Sequence, residues 1–539
     1  MTEQDEAQGI RSTPPAGSTQ ADDGNTPAMT ELTDDEPQGW ADRHFILFAF
    51  LGAFGVLFHE AQWYTFTDYV GTTLATGGAL LVLTRPTAIW RWALMHLGIV
   101  IEVLEKAPFS SNHTVFHAFM SAAMLATVLT LWVGGGFKPL TRDQVFRAVA
   151  PVGRVLILVL YFFTFWHKFN WGFLDPDVSC GVTYYAGLRD HLPFLPDGQW
   201  TIWPAIIGTL ITEICLLVLL WFKPLRLFGL VFVLIFHGVV GSMLHPNFSA
   251  IAFGYLILFF PMECSGRVAQ RWQALLKKVG VDWAGQREAW VKRLNLVSWI
   301  GTAVVVAWFV YVFAVILPNK EVPVRLLREP WNDPRNLLQR NIKRAFQLYG
   351  TFIFFAVYAV GLWGTRWTWP KGFFRFRYAW VYLFPVLMFA HGMGAYFGGR
   401  THSAFNMFSN LITEPGYANH FVTPWTPHFT DLQRERVTIL ETDDPDLANF
   451  AERGFALHWF ELKRYVQRKA AVGQGDFSVR YLTGENMTGV LEEDMKTGQL
   501  VEVDNASQDP ALNQPIPYFL KKYMYLRPYK HGDRNTCGH

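Results

Sequence analysis

The sequence predicts a polytopic α-helical membrane protein of about 10–11 transmembrane helices with a small extramembrane α+β domain at its C-terminal end. Of the 539 residues, 51% are hydrophobic, 16% are aromatic and only 17% are charged, whereas soluble domains usually carry about 25% charged residues. Apolar segments of roughly membrane-spanning length recur through residues 41–397, and the loops between them are alternately basic. The net charge of +2 is too small to indicate a nucleic-acid partner.

Residues 1–40 form an acidic tail that is rich in Pro, Gly and Thr. The tail lacks the basic start and the apolar stretch of a signal peptide. Its low hydrophobicity predicts a disordered segment, which we place on the cytoplasmic side.

Residues 41–397 are predicted to be the transmembrane domain. Its eleven candidate spans lie near residues 44–59, 70–84, 90–105, 113–133, 151–168, 203–222, 226–244, 247–261, 295–317, 345–364 and 378–397. The second and the eighth are short for a span, which needs about 20 apolar residues.

The distribution of Lys and Arg predicts the orientation of the chain. Basic residues follow every even-numbered segment, beginning with Arg85 and Arg91 after the second and Lys138, Arg142 and Arg147 after the fourth. Basic loops stay in the cytoplasm, so the N-terminus is predicted inside and the C-terminal domain outside. The loop 318–344 is also basic, and it is either an interfacial helix or a sign that the count is off by one there.

Residues 398–539 are predicted to form the extramembrane domain. Residues 446–470 have helical apolar spacing, whereas residues 437–440 and 477–482 are typical of short strands. The stretch "EEDMKTGQLVEVDN" predicts a hairpin that turns at Thr497 and Gly498.

The chain has four cysteines, which are too few for a disulfide scaffold, and their spacing does not match a zinc ribbon. The predicted topology places Cys180 and Cys537 on the outer side, where many cells are oxidising. A disulfide between these two residues is our hypothesis.

Several ionisable residues interrupt the apolar segments. They are Glu102, Glu105, His113, His117, Lys168, Glu213, His237 and His391. Such residues are costly in a membrane and usually face the interior of a helix bundle, so we expect them to share a polar cavity.

Lys168 ends the fifth segment and has two interpretations. It is either an anchor whose amine reaches the headgroups or a buried amine. Burial disfavours an ammonium ion, and a neutral lysine is a competent general base. In that second case we expect Lys168→Ala to leave folding nearly intact and Lys168→Arg to be inactive.

The other polar residues also have structural interpretations. Glu213 would otherwise make an interhelical hydrogen bond, and His237 would be a core histidine. His113 and His117 have the i, i+4 spacing of two metal ligands on one helix face, but no third ligand stands nearby, so no metal is expected. Tyr161, Phe165 and Lys168 share one face of a helix, and this face would suit a flat apolar ring with an acidic hydroxyl.

The region from Val155 to Pro261 resembles the vitamin K-dependent gamma-carboxylase family, also called horizontally transferred transmembrane domain proteins. The resemblance is carried by Tyr161-Phe162, Lys168 and Trp171-Gly172, then Glu213 in "ITEICLLVLL", Phe236-His237 in "LIFHGVV", "NFSAIAFGYLILFFP", Asn112-His113 in "SNHTVFHAF" and "FAHGMGAYFGGRTHSAFNMFSN". It extends over roughly residues 45–480 and weakens after residue 430.

The resemblance implies a chemistry and a site. Lys168 would deprotonate reduced vitamin K or a related membrane quinol, which then reacts with O2, and CO2 would carboxylate a Glu side chain of a peptide on the outer face. His113 and His237 would join Lys168 in catalysis. Tyr161, Phe165, Trp171, Glu213 and His391 would bind the quinol, without a metal.

The chain departs from the family in the turn before Lys168, where a small residue or Gly is frequent and Phe165-Trp166-His167 stand here. The added bulk would change the quinone that the site accepts. A non-catalytic scaffold that binds lipid or a partner is therefore the second hypothesis. Transport would require inverted repeats, which the sequence does not show.

Overall fold

The structure is a computed structural model, and it describes residues 39–63, 69–244, 246–280, 287–319, 348, 351–352, 354–415, 417–485, 487–488, 490–528 and 537. The predicted tail 1–40 lies outside the described residues except for its last two positions. The basic loop 318–344 lies outside them except for its first two.

The membrane domain consists largely of α-helices. The helices are α1 (Trp40–Trp63), α2 (Val70–Thr84), α3 (Ile89–Lys106), α4 (Asn112–Gly134), α5 (Arg142–Trp166), α6 (Trp171–Leu174), α7 (Cys180–His191), α8 (Ile202–Trp221), α9 (Arg226–Met243), α10 (Pro246–Leu256), α11 (Glu263–Lys278), α12 (Arg287–Tyr311), α13 (354–362) and α14 (Leu383–Met393).

Seven helical segments of the described chain are long and apolar enough to cross a membrane. They are Trp40–Glu60, Asn112–Gly134, Arg142–Trp166, Gln199–Trp221, Lys223–Gly241, Glu288–Asn319 and Ala379–Phe397. An eighth is counted if α10 and α11, which meet at a bend of 107°, form one broken span. The polytopic helical fold is thus confirmed.

The predicted number of 10–11 spans stays a prediction. α2 is apolar but has only 15 residues, and α3 carries Arg91, Glu102, Glu105 and Lys106 within its 18 residues. The tenth predicted span, 345–364, is only partly described, as α13. α2 and α3 pack backbone to backbone, because a Cβ at Gly98 would collide with Ala75. Small residues allow such close approach of membrane helices.

Helix α5 lies at the centre of the domain. Of its apolar window, 78% is buried, against 17% for the span that contains α8 and 11% for the span that contains α12. Thr141 caps its first turn by accepting a hydrogen bond from Gln144 N. Arg142 pairs with Asp42 at 2.6 Å, so α5 and α1 begin at the same end of the bundle. The opposite end of α5 carries Lys168.

The C-terminal region contains a four-stranded antiparallel sheet of order β4-β3-β5-β6. The strands of the region are β1 (Thr413–Glu414), β2 (Tyr417–Ala418), β3 (Arg436–Thr442), β4 (Ala456–His458), β5 (Val479–Gly484) and β6 (Gln499–Val503), and its helices are α15 (Pro445–Glu452), α16 (Trp459–Ala471), α17 (Leu491–Thr497) and α18 (Tyr518–Tyr523). The predicted strands 437–440 and 477–482 are confirmed as β3 and β5.

The helical spacing of residues 446–470 is confirmed in part: the range is divided into α15 and α16, because Gly454 turns the chain with a φ of 66° and β4 follows. One prediction for this region was wrong. The hairpin around Thr497 and Gly498 is absent from the described residues, since its first half is helix α17. Three acidic residues at the start of α17 favour the positive end of a helix dipole.

Cys180 and Cys537 form a disulfide with a Cα–Cα distance of 4.9 Å, which is within the usual range. The hypothesis of this disulfide is thus confirmed in the structure. Cys180 begins α7, in the segment that follows α5. The disulfide therefore ties Cys537 to the segment that follows Lys168.

The disulfide predicts the number of reactive thiols. After denaturation without reductant, a maleimide should label Cys215 and Cys264, the two free cysteines. After reduction, it should label all four cysteines. Mass spectrometry measures both numbers, and four labels without reductant would contradict the disulfide.

Candidate functional site

Lys168 and Glu213 form a buried ion pair. Lys168 Nζ lies 3.2 Å from Glu213 Oε1, and the two residues are 4% and 8% exposed. The ammonium also donates to Thr164 O at 3.0 Å and to Met407 O at 3.5 Å. An ammonium has three donors, and two of them are used by these main-chain oxygens, while the carboxylate lies beside the group. Lys168 is therefore directed inward and does not extend to the headgroups.

The turn that carries Lys168 is fixed by Asn170. Its side-chain amide donates to His167 O at 2.7 Å and to Ser409 O at 2.6 Å. Its Oδ1 accepts from Phe173 N at 2.9 Å, which caps the short helix α6. Asn170 thereby ends one helix, begins the next and holds the extramembrane chain against both.

Tyr161 and His237 form a second buried pair two turns along α5 from Lys168. Tyr161 OH lies 2.9 Å from His237 Nε2, and the other ring nitrogen of His237 lies 3.4 Å from Ser249 Oγ. His237 is fully buried. Tyr161 lies on α5, the helix that Lys168 follows, and Glu213 and His237 lie on the consecutive helices α8 and α9, so we treat the two pairs as one candidate site.

Aromatic rings surround His237. The ring centroids of Phe236, Phe248 and Phe253 lie 5.1, 5.3 and 6.1 Å from its own. The polar groups of the site thus stand in an apolar, aromatic environment.

The first turn of α10 links His237 to His113. Asn247 Nδ2 lies 3.3 Å from His113 Nε2, and Ser249, two residues later, contacts His237. Ser111 Oγ lies 3.0 Å from the same nitrogen of His113. His113 therefore borders the site through α10 rather than through a direct contact with the ion pair.

Glu102 and Glu105 belong to a separate polar cluster at the ends of α1 and α3. Lys106 pairs with Glu102 at 2.5 Å, and Glu105 accepts from Gly71 N at 2.7 Å. His59 pairs with Glu60 at 2.8 Å. The ring of His59 lies 5.1 Å from that of His113, so the cluster adjoins the site on the side of α4.

His117 is buried in an aromatic and histidine cluster. Its ring lies 5.5 Å from Tyr255 and 6.4 Å from His96, and His96 contacts Ser121 at 2.8 Å. Within the described parts of the chain, no group of three or more His, Cys, Asp or Glu side chains is placed to hold a metal ion.

For three of the predicted quinol-binding residues, the contacts that the structure shows are with groups other than the ion pair. His391 contacts Ser403 O at 2.9 Å. Phe165 is half-buried and packs against Phe169, with a centroid distance of 6.0 Å. Trp171 is 67% exposed. Of the predicted aromatic face, Tyr161 is the member that the structure joins to the site.

The sequence did not predict the segment that covers the ion pair, residues 403–410, which we call the cap segment. Four of its carbonyl oxygens, those of Ser403, Ala404, Met407 and Ser409, contact the side chains of His391, His167, Lys168 and Asn170, respectively. Every residue has a main-chain carbonyl oxygen, so the sequence does not show which of these oxygens accept hydrogen bonds. Each of these four side chains therefore lies against the negative end of a carbonyl dipole of the cap segment.

The cap segment is strained. Ser403, Phe405, Phe408 and Asn410 have φ values of 58°, 62°, 51° and 53°. Asn tolerates this left-handed region, but Ser and Phe rarely adopt it. Strained backbone of this kind persists where the surrounding structure over-determines it, often at a functional site.

Tyr184 of α7 is another residue that the sequence did not predict. Its ring lies 4.8 Å from Phe408 of the cap segment. α7 therefore packs against the cap segment.

The comparisons with known proteins found nothing: no family model, no curated protein and no solved structure matches this chain. What the site does is therefore argued from its geometry.

The ion pair predicts a pattern of stability. Glu213→Gln and Lys168→Met should each destabilise the fold by about 3–5 kcal/mol, because each leaves a buried charge unpaired. The double variant should recover much of this loss. The sequence alone predicts that removal of Lys168 would leave folding nearly intact. Because the structure pairs Lys168 with Glu213, we now expect its removal to reduce stability. Thermal unfolding in detergent measures all three, and additive losses in the double variant would contradict a coupled pair.

The strain predicts that Ser403→Gly is tolerated. Ser403 is fully buried and, in the described structure, its Oγ has no hydrogen-bond partner. Glycine removes that hydroxyl and adopts the same φ without steric cost. The unfolding midpoint should stay the same or rise, whereas Ser403→Val should lower it. A midpoint that falls in the glycine variant would show that the hydroxyl is needed.

Proposed function

We propose that this chain is a multi-pass membrane enzyme in which Lys168 and Glu213 act as an acid–base pair on the hydroxyl group of a membrane quinol. The observation that carries the proposal is the ion pair itself, 3.2 Å long and buried near the end of the central helix. A buried pair of this kind is a poor way to gain stability, so a chemical role accounts for its presence.

The pair can supply a base without a change in net charge. Ammonium with carboxylate, and amine with carboxylic acid, are both neutral overall, and one proton distinguishes them. A transfer from Lys168 Nζ to Glu213 Oε1 frees the lone pair of the amine. The amine can then accept a proton from an acidic hydroxyl, and the main-chain oxygens of Thr164 and Met407 hold it in place.

The surroundings fit a flat, apolar ring with polar groups at its edge. The Tyr161–His237 pair offers a second hydrogen-bonding point, and the rings around His237 offer apolar contact. Reduced vitamin K or a related quinol would supply the electrons for reaction with O2, as the gamma-carboxylase resemblance implies. CO2 and a peptide with Glu residues would be the further substrates.

Orientation is part of the proposal. The basic loops favour a cytoplasmic N-terminus, and the disulfide between Cys180 and Cys537 favours an oxidising compartment for the C-terminal domain. A peptide substrate would then approach from the outer face.

A structural role is the second candidate, and one observation favours it. The three acceptors of Lys168 come from α5, α8 and the cap segment, so the ammonium joins the membrane helices to the extramembrane chain. A scaffold that binds lipid or a partner protein would need such a joint and no chemistry.

The two candidates predict different behaviour for three variants. In nanodiscs supplied with reduced quinols, air and bicarbonate, the parent chain should form quinone epoxide, detected by mass spectrometry. Lys168→Arg keeps the charge, but a guanidinium does not release its proton, so turnover should be lost. Glu213→Gln should also be inactive per folded molecule.

Lys469→Ala is the matched control. Lys469 pairs with Asp444 at 3.1 Å and is also buried, but it lies in the extramembrane region. It should cost stability and leave turnover per folded molecule unchanged. If the parent chain forms no epoxide but the ion-pair variants show the predicted stability pattern, the enzyme proposal is contradicted and the structural role is supported. Full turnover in Lys168→Arg would end the base hypothesis.

A further inference from the structure

Residues 421–429, "FVTPWTPHF", form a loop of the extramembrane region that we call the rim loop. Three of its apolar side chains point away from the protein: Val422, Trp425 and Phe429 are 56%, 70% and 76% exposed. Exposed aromatic residues close together in a loop usually mark an interaction surface.

The start of the rim loop is fixed to the end of α5. His420 Nε2 lies 3.0 Å from Trp166 O, the last residue of that helix. Phe421 N donates to Phe169 O at 3.2 Å, and the ring of Phe421 lies 4.4 Å from that of Trp171. The loop therefore begins at the level where the span Arg142–Trp166 ends.

The far end of the rim loop is fixed to a second span. Phe429 N donates to Phe397 O at 3.2 Å, and the two rings stack with a centroid distance of 5.1 Å. Phe397 is the last residue of the span Ala379–Phe397. Both ends of the loop thus lie at the level where spans end, which is the depth of the headgroups.

Several residues of the rim loop have a backbone N–H group that is paired within the protein, or have none. Val422 N and Thr423 N both donate to His420 Nδ1 at 3.2 Å. Pro424 and Pro427 have no N–H group. Burial lowers the pKa of His420, and this effect is larger than that of the hydrogen bond to Trp166 O, which raises the pKa. A neutral ring can accept these two N–H groups at Nδ1 while it donates from Nε2. Backbone groups that are paired within the protein, or absent, lower the cost of bringing this part of the loop to a lipid surface.

We propose that the rim loop is a lipid-contact element, which places Val422, Trp425 and Phe429 among the headgroups of the leaflet on the side of the C-terminal region. Trp171 extends this surface, since it is 67% exposed and packs against Phe421. Tryptophan favours this interface because one part of its ring system is apolar and one part donates a hydrogen bond. The loop would hold the extramembrane region flat against the membrane, beside the cap segment. This inference rests on the spans and is independent of the quinol chemistry.

Single cysteines with a polarity-sensitive NBD label test the proposal. The full-length chain in nanodiscs would carry Trp425→Cys or Val422→Cys. The control is Met495→Cys, since Met495 is also exposed, at 57%, but lies on α17. The parent chain, labelled in parallel, gives the background from free Cys215 and Cys264.

The rim-loop labels should emit at shorter wavelength than the Met495 label and lose fluorescence with lipids that carry a doxyl group near the headgroup. The Met495 label should show neither change. Water-like emission at both rim positions would overturn the proposal. Apolar emission without quenching by doxyl lipids would overturn it as well, because the loop would then contact protein, such as a second copy of this chain.

Discussion

The cost of a charged lysine at the end of a buried helix is the constraint on which the rest of the site depends. An ammonium ion and a carboxylate withdrawn from water need each other and further hydrogen bonds. The pair of Lys168 and Glu213 meets this need with two main-chain oxygens, one from its own helix and one from the cap segment. The backbone strain at Ser403, Phe405 and Phe408 follows, because the chain must turn its carbonyl groups toward the membrane helices within a few residues.

The site is closed by parts of the chain that are far apart in sequence. Met407 lies 239 residues after Lys168, and Cys537 lies 357 residues after Cys180. Residues 525–527 also lie close to the start of the cap segment: Tyr525 forms a backbone β-bridge with Arg400, and Arg527 N donates to Thr401 at 2.9 Å. The extramembrane region therefore contributes a hydrogen bond to Lys168 that the membrane helices do not supply.

The helices of the membrane domain could be predicted because lipid requires long apolar runs, and runs of this kind are visible in the sequence. Lys168 and Glu213 could be singled out by their cost in that setting. Their pairing could not, since nothing in the two segments states which faces meet. Phe165 shows the limit of helical spacing: it lies near Lys168 on a helical projection, but the helix ends at Trp166 and the ring of Phe165 packs against Phe169. The hairpin at Gly498 failed because the preference of acidic residues for a helix start outweighed the turn signal.

A second buried lysine shows how a structural ion pair differs from the one in the membrane domain. Lys469 pairs with Asp444 at 3.1 Å, and Tyr465 donates to the same carboxylate at 2.7 Å. Asp444 also accepts from Asp446 N and Leu447 N, which caps α15. Its oxygens are committed to the fold, so a proton that moved onto them would weaken four contacts at once. In the described residues, the polar contact of Glu213 is the ion pair with Lys168. The pair of Lys168 and Glu213 therefore holds no helix cap, and this is the physical difference between the two buried lysines.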